Sequence, residues 1–386
     1  MNISYIYILG LAGFVSAADN WFVSPALPAI AEGLGVTAAA AVGILTAYLI
    51  PYGILQPVYG FWGDRIGKVR LLQILTAGLA AGAAGCAVSQ SLEMLMVFRF
   101  LTGWFAAGVI AVSLGIIGDR EPAERRQHGV GLFMGLVFLG QGTSAGLGGV
   151  LAEYTGWQGA FLLFAFLSLL ACGACLWIRK EETSEKRAAS AGFYTVLKEM
   201  LHHGLGRKLF LLALYAGICL IGAYSFFGAY LHDRFGLNYM ECGLAVMAYG
   251  LACLFGGRWV GWLCRYLGRP LVLKSGAALA AAGLLFLWQA AAWELAVIGI
   301  ALFGFAYIFI QSSLAALAFS VSETYRGMAS GLVGTGLFCG GGIGSAVGSV
   351  LWNRGGYEPL WTVFLAGAAI LYVLIYSFVK SECEGR

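Results

Sequence analysis

Between two apolar runs lies the segment Gly60-Phe61-Trp62-Gly63-Asp64-Arg65-Ile66-Gly67-Lys68-Val69-Arg70. Four charges and three glycines in so short a space make a tight turn. Gly63 and Gly67 supply backbone freedom, and Asp64 is a carboxylate among cations that can face a helix N-terminus and pair with a nearby arginine. On either side, residues 38–60 and 71–90 contain no Asp, Glu, Lys or Arg. Each run is long enough to cross the hydrocarbon core of a bilayer as a helix. The segment is therefore the turn of a membrane hairpin.

The same alternation fills the chain. Apolar runs of spanning length fall near 5–28, 38–60, 71–90, 93–118, 129–152, 158–178, 208–231, 240–263, 270–289, 294–319, 327–350 and 358–379. The 386 residues are 60% hydrophobic and 11% charged, too few polar groups to cover a soluble surface. Mean hydropathy is +0.83. The 57 glycines show no collagen period and lie inside apolar runs, as in closely packed membrane helices. The first run begins at Tyr5 without a basic flank and reaches about Pro28, so it reads as a membrane helix and not as a cleaved leader. The net charge of +4 is a topology signal, and no nucleic-acid partner is expected. Cys172 and Cys175 form a CxxC inside an apolar run with no His or acid nearby, which reads as packing. No metal or other cofactor is expected.

The lysines and arginines set the orientation. With both termini cytoplasmic, 19 of the 23 fall in cytoplasmic segments, and only Arg234 and Arg354 fall in outer loops. A multi-pass protein of the cell membrane follows. The long polar gap 179–207 separates six helices, 1–178, from six more, 208–386. Within the gap, Phe193, Val196, Leu197, Met200, Leu201 and Leu205 recur at helical spacing, which predicts a short helix on the inner membrane surface.

The halves repeat. Gly60, Gly67, Glu93 and Gly103 return as Gly261, Gly268, Glu294 and Gly304 at an offset of 201. Arg125 matches Arg326. Gly148, Val150 and Leu151 match Gly348, Val350 and Leu351 at an offset of 200. Parallel repeats of this size imply a cavity at their interface, exposed alternately to each side as one half rocks on the other. The expected architecture is an all-α membrane protein with twelve transmembrane helices in two six-helix bundles around a central cavity.

The turn quoted first resembles the signature loop of the major facilitator superfamily. That resemblance implies a cytoplasmic latch made by Gly60, Gly63, Asp64, Arg65, Gly67, Lys68 and Arg70, with Asp119 at the next cytoplasmic helix end. The second copy, Gly261-Trp262-Leu263-Cys264-Arg265-Tyr266-Leu267-Gly268-Arg269, keeps the glycines and puts Arg265 where Asp64 stands. The fourth run carries Leu95, Arg99, Thr102 and Gly103, which resembles a second motif of the superfamily's exporters and implies that Arg99 serves proton coupling. Its partner by repeat is Ile300. A charge within a membrane helix is costly and by default functional; a structural arginine bonded to carbonyls is the plainer alternative. The first run, with Asp19-Asn20-Trp21 and Ala26-Leu27-Pro28, is similar to the first helix of drug:proton antiporters. Counted from the outer end at ~1.5 Å per residue, Asp19 and Arg99 could share one layer. Burial disfavours the carboxylate and a neighbouring guanidinium favours it, so the two effects oppose and leave a poised proton site. An acid in an aqueous vestibule is the competing reading. In the fifth run Ser144-Ala145-Gly146-Leu147-Gly148-Gly149 lacks the antiporters' Gly-Pro element, while Gly156-Trp157-Gln158-Gly159-Ala160-Phe161 fits the family.

Tyr48, Tyr52 and Gln56 share one helical face, as do Tyr307 and Gln311. With Asn20, Trp21, Gln141, Tyr215, Tyr249 and Arg258 they are the candidate cavity residues, each tyrosine equally readable as packing or as an interface anchor. The stripe Gly336, Gly340, Gly344 and Gly348 is a close-packing face. These features suggest a monomeric, proton-coupled exporter of small amphiphilic or aromatic compounds working by alternating access. A symporter or facilitator for a sugar or organic acid is the alternative. The sequence lacks an HExxH, a nucleophile elbow or an appended soluble domain that would favour a membrane enzyme or sensor.

Overall fold

The computed structural model describes residues 4–178, 192–318, 320–321 and 326–384. The side chains of Asp64, Arg65, Arg125 and Arg326 lie outside the described part, as does the linker segment 179–191. The first-half helices are α1 (Ser4–Trp21), α2 (Val23–Leu34), α3 (Ala38–Ala41), α4 (Gly43–Ile66), α5 (Lys68–Ala87), α6 (Leu92–Ala106), α7 (Val109–Arg120) and α8 (Ala123–Cys175). Helix α9 (Phe193–His202) follows the linker. The second half holds α10 (Gly204–Tyr224), α11 (Phe227–Phe235), α12 (Tyr239–Tyr266), α13 (Arg269–Gln289), α14 (Trp293–Ala318), α15 (Arg326–Gly355) and α16 (Tyr357–Glu384). Ser91 caps α6 by accepting from the Met94 amide at 3.2 Å. Asn238 and Glu241 form a reciprocal capping box at the start of α12.

Among the described residues, ten helices are long and apolar enough to cross a membrane, or eleven when the bent pair α1–α2 is one span. The sequence places the first membrane helix near 5–28; the chain bends by 53° between α1 and α2 and runs on to Leu34. Pro25 is the cause. It has no N–H to offer the Trp21 carbonyl one turn back, so that carbonyl leaves the helical ladder. The Tyr224 hydroxyl takes its place, donating to Trp21 O at 2.7 Å. Helix α8 is broken in its middle by Gly156, whose φ of 74° is left-handed. That break falls where the fifth and sixth apolar runs are separated in the sequence.

Helices α1 and α4–α8 pack on one another, as do α10 and α12–α16. The two groups meet along α12 with α8 and along α15 with α4. The internal repeat reaches the backbone: the left-handed glycines Gly35, Gly67 and Gly156 are matched by Gly236, Gly268 and Gly356. Large apolar side chains such as Val97, Phe166, Leu169 and Val373 are exposed around the outside, as a lipid-facing surface requires. Tyr154, Trp177 and Tyr266 are exposed near helix ends, where amphipathic rings favour the membrane–water boundary. Helix α9 buries Val196 and Met200.

Candidate functional site

Asp19 lies near the end of α1 and Arg99 in the middle of α6. Arg99 Nη1 donates to Asp19 Oδ2 at 2.7 Å and to Asp19 O at 3.2 Å. Both side chains are fully buried. The carbonyl can accept because it sits in the last turn of α1, where intrahelical donors run out. The guanidinium carbon lies 4.2 Å from the centre of the Tyr48 ring, a cation–π contact within a low-dielectric interior. The Tyr48 hydroxyl in turn donates to Ser16 O at 3.4 Å. Asp19 Oδ1 and Arg99 Nε and Nη2 have no hydrogen-bond partner among the described residues. Three of the five polar side-chain atoms of this buried pair are thus unsatisfied, and such a pair is held less firmly than a fully bonded one.

One residue along, Asn20 and Trp21 form part of the wall of a cavity of about 700 Å³ between the two halves. Tyr52, Gln56 and Gln141 from the first half and Tyr307 and Gln311 from the second complete the sequence-derived members of that wall. Tyr48 and Tyr249 are buried and do not reach the cavity surface. Tyr249 stands behind Trp21, with ring centres 5.1 Å apart and stacked. Two candidates are not brought there. Tyr215 turns toward α16 and donates to Gly367 O at 3.2 Å, and Arg258 is exposed on the outer face of α12. Tyr59, Phe138 and Phe338 of the cavity wall, and Tyr224 beside it, are aromatic residues not among the sequence-derived candidates. Tyr224 packs on Trp21 at 4.6 Å, edge to face, and Phe338 packs on Tyr52 at 4.5 Å.

The cavity runs from Trp21 to Gly60, Gly63 and Lys68, beside the turn between α4 and α5. Lys68 and Asp119 form an ion pair there. Gly67, with φ 89°, makes the corner between the two helices, and Arg70 is exposed on the first turn of α5. At the opposite end the halves are joined by polar contacts. Ser24 Oγ donates to Tyr224 O at 2.8 Å, and the Tyr239 hydroxyl donates to Glu32 Oε2 at 2.5 Å. His232 Nε2 stands 3.6 Å from Glu32 Oε1. The Tyr239 amide donates to Glu153 at 3.0 Å.

Two matched helical groups around a central cavity, sealed at one end and carrying a buried charge pair beside it, define the architecture of a membrane solute transporter. The chain belongs to the Major Facilitator Superfamily, whose family model matches residues 9–325. It is similar to the tetracenomycin C resistance and export protein of Streptomyces glaucescens, 30% identical over 176 residues, which are 45% of this chain and 32% of that protein. It is also similar to the multidrug export protein EmrB of Escherichia coli strain K12, 28% identical over 155 residues, 40% of this chain and 30% of the relative. The fatty acid resistance protein FarB of Neisseria gonorrhoeae is 25% identical over 182 residues, 47% of this chain and 35% of FarB. The matched part thus spans about a third of the length of these relatives. Among solved structures, the nucleoside transporter NupG superposes with a TM-score of 0.77 at 13% identity, covering 98% of this chain and 99% of NupG. A bacterial homologue of the human lysosomal transporter Spinster, inward-facing and occupied, gives 0.76 at 17% identity, covering 98% and 97%. At these identities the likeness is one of fold.

Proposed function

We propose that the protein is a proton-coupled exporter of small amphiphilic or aromatic compounds, working as a monomer in the cell membrane by alternating access. The observation that carries this reading is the Asp19–Arg99 pair, fully buried and adjacent in sequence to cavity-wall residues Asn20 and Trp21. Protonation of Asp19 removes its charge, weakens its hold on Arg99 and releases the end of α1, which is part of the cavity wall. A proton taken up from one side is thereby converted into a preference between two arrangements of the halves. Residues 1–178 and 208–386 are the moving bundles, and 179–207 is the tether. The lopsided lysines and arginines support an orientation with both termini cytoplasmic; the open end of the cavity then faces inward and the sealed end outward. The names of the relatives, which include a tetracenomycin C resistance and export protein and a multidrug export protein, support export over import.

The test uses inverted membrane vesicles carrying the protein and an imposed pH gradient. Aromatic compounds of each charge type are added in turn, and proton release is read with a pH-gradient dye. At least one compound should discharge the gradient in wild type and fail to do so in Asp19→Asn. If the Asp19→Asn variant moves protons with wild-type stoichiometry, Asp19 is not the coupling group. If no compound discharges the gradient beyond protein-free vesicles, the coupled-export reading fails.

A further inference from the structure

Each half begins with a helix that breaks partway. In the first half α1 gives way to α2 at Phe22, and in the second α10 gives way to α11 at Ser225 and Phe226. A break frees backbone carbonyls that a continuous helix would have used. Pro25, which lacks an N–H, frees Trp21 O. At the end of α10 the amides of Ser225 and Phe226 turn back to Gly222 O and Ala223 O at 3.3 and 3.1 Å, and Tyr224 O is left over.

Each freed carbonyl is capped by the opposite half. The Tyr224 hydroxyl donates to Trp21 O at 2.7 Å, and Ser24 Oγ donates to Tyr224 O at 2.8 Å. The exchange is reciprocal, since each segment both gives and receives. Trp21, Ser24 and Tyr224 are all buried, so water reaches neither carbonyl while the halves are together. The approach is close enough to need a glycine: a Cβ at Gly228 on α11 would stand 2.3 Å from Ser24 O and 2.4 Å from Pro25 Cα. Trp21 also shares the last turn of α1 with Asp19. Arg99 of the same half holds Asp19 O at 3.2 Å, and Tyr224 of the other half holds Trp21 O. One helical turn thus carries both the buried ion pair and a bond between the halves.

We infer that Tyr224 and Ser24 form an exchanged pair of helix caps that locks the sealed end, and that Tyr224 is a positioning residue for transport. Its hydroxyl holds the end of α1 against α10 and must let go before the sealed end opens. Separating the halves admits water to both carbonyls, so a missing cap matters little once the seam is open. Inside the closed seam an uncapped carbonyl is desolvated and unpaired. Losing a cap therefore penalises the closed arrangement and leaves the open one nearly untouched. This rests on the reading of the chain as an alternating-access transporter.

The test is hydrogen–deuterium exchange of the full-length protein in detergent, with no gradient and no added compound. Tyr224→Phe removes the hydroxyl and keeps the ring that packs on Trp21 and Tyr249. Amides of α2 and α11 should exchange about tenfold faster. Amides at the other end of the cavity wall, near 56–63 and 330–334, should exchange more slowly, because that end closes as this one opens. Local loosening alone gives the first change without the second. Tyr215→Phe is the control. It removes a hydroxyl-to-carbonyl bond from the same helix, but one made within the second half, to Gly367 O at 3.2 Å, and it should change neither end. Ser24→Ala removes the other cap and should move both ends in the same directions as Tyr224→Phe. The inference is overturned if neither cap variant folds, if exchange near 56–63 and 330–334 is unchanged or faster in either that does, or if Tyr215→Phe gives the same reciprocal change. The vesicle assay of proton movement is independent of this one. Reciprocal exchange with no compound discharging the gradient would remove the export reading and keep the lock; discharge of the gradient without reciprocal exchange would do the reverse.

Discussion

Gly103 lies against the Tyr48 carbonyl in the first half, and Gly304 lies against the Tyr249 carbonyl in the second. A Cβ at either glycine would fall 2.2 or 2.4 Å from that oxygen, so only glycine lets the helices approach this closely. Both tyrosines are buried, and both pairs are related by the offset that governs the repeat. Around this shared contact the halves diverge. Arg99 covers the Tyr48 ring, and Asp19 holds Arg99. The corresponding second-half positions are Ile300 and Leu220, both fully buried. One packing plan has therefore been built twice, once with an ion pair and once with two aliphatic side chains. The second half packs this contact without a charge.

Replacing the pair separates its structural from its mechanistic worth, and this is the largest effect expected. Arg99→Ile leaves the Asp19 carboxylate buried and unpaired, which should destabilise the protein by about 3–5 kcal/mol. The double substitution Asp19→Leu with Arg99→Ile copies the second half. It should recover most of that loss, to within about 1–2 kcal/mol of wild type, because apolar replacement of a buried pair is often neutral. Thermal unfolding in detergent measures both, and proton-driven transport should be absent in both. A double variant as unstable as Arg99→Ile would mean that the first half depends on its charges for folding, and the comparison between halves would break.

The glycine contacts give a smaller and symmetric prediction. Gly103→Ala and Gly304→Ala each force a helix away from a carbonyl, and each should cost roughly 1–3 kcal/mol. Similar losses in the same unfolding assay would sharpen the view of one plan used twice. A loss confined to one site would show that the two close approaches are not equivalent.

Much of this is legible in the sequence, and the remainder is hidden for identifiable reasons. Apolar run length and charge breaks locate the membrane helices because the bilayer imposes a length. The turns at Gly67 and Gly268 are legible as glycines between charges. The bend after Trp21 is not, although Pro25 carries its cause, because helical periodicity does not register which carbonyl a proline leaves free. Tyr224 is hidden for the same reason: its importance comes from donating to that freed carbonyl. The position of its helix places Tyr215 at the cavity, but rotation about the helix axis decides where a side chain points, and it faces α16. Phe338 lies within a glycine-rich stretch whose glycines draw the reading toward packing. Helix α15 uses one face for that stripe, with Gly340 and Gly344 against the Leu214 and Ile218 carbonyls of α10, and another for the Tyr52 contact.

The smallest effect is expected at the turns. Both copies hold a left-handed glycine, Gly67 with φ 89° and Gly268 with φ 80°, so the backbone corner is common to both halves. The charges are not: Asp64 in the first turn is replaced by Arg265 in the second. The ion pair observed beside the first turn joins Lys68 to Asp119, and their side chains are 14% and 31% exposed. Partly solvated pairs of this kind contribute about 0–1 kcal/mol, so neither Asp64→Asn nor Lys68→Met should lower the unfolding temperature noticeably. If the first turn stabilises one of two arrangements, the same small energy appears in the rate of exchange between them. A change of up to about 1 kcal/mol in a barrier is a severalfold change in turnover. Asp64→Asn should therefore slow transport severalfold with substrate affinity unchanged, and Arg265→Asn, which has no first-turn carboxylate to remove, should leave turnover near wild type. Initial rates of proton-driven movement, compared with dialysis affinities, separate the two outcomes. Equal slowing by both substitutions would place the latch in both halves and extend the repeat from packing to mechanism.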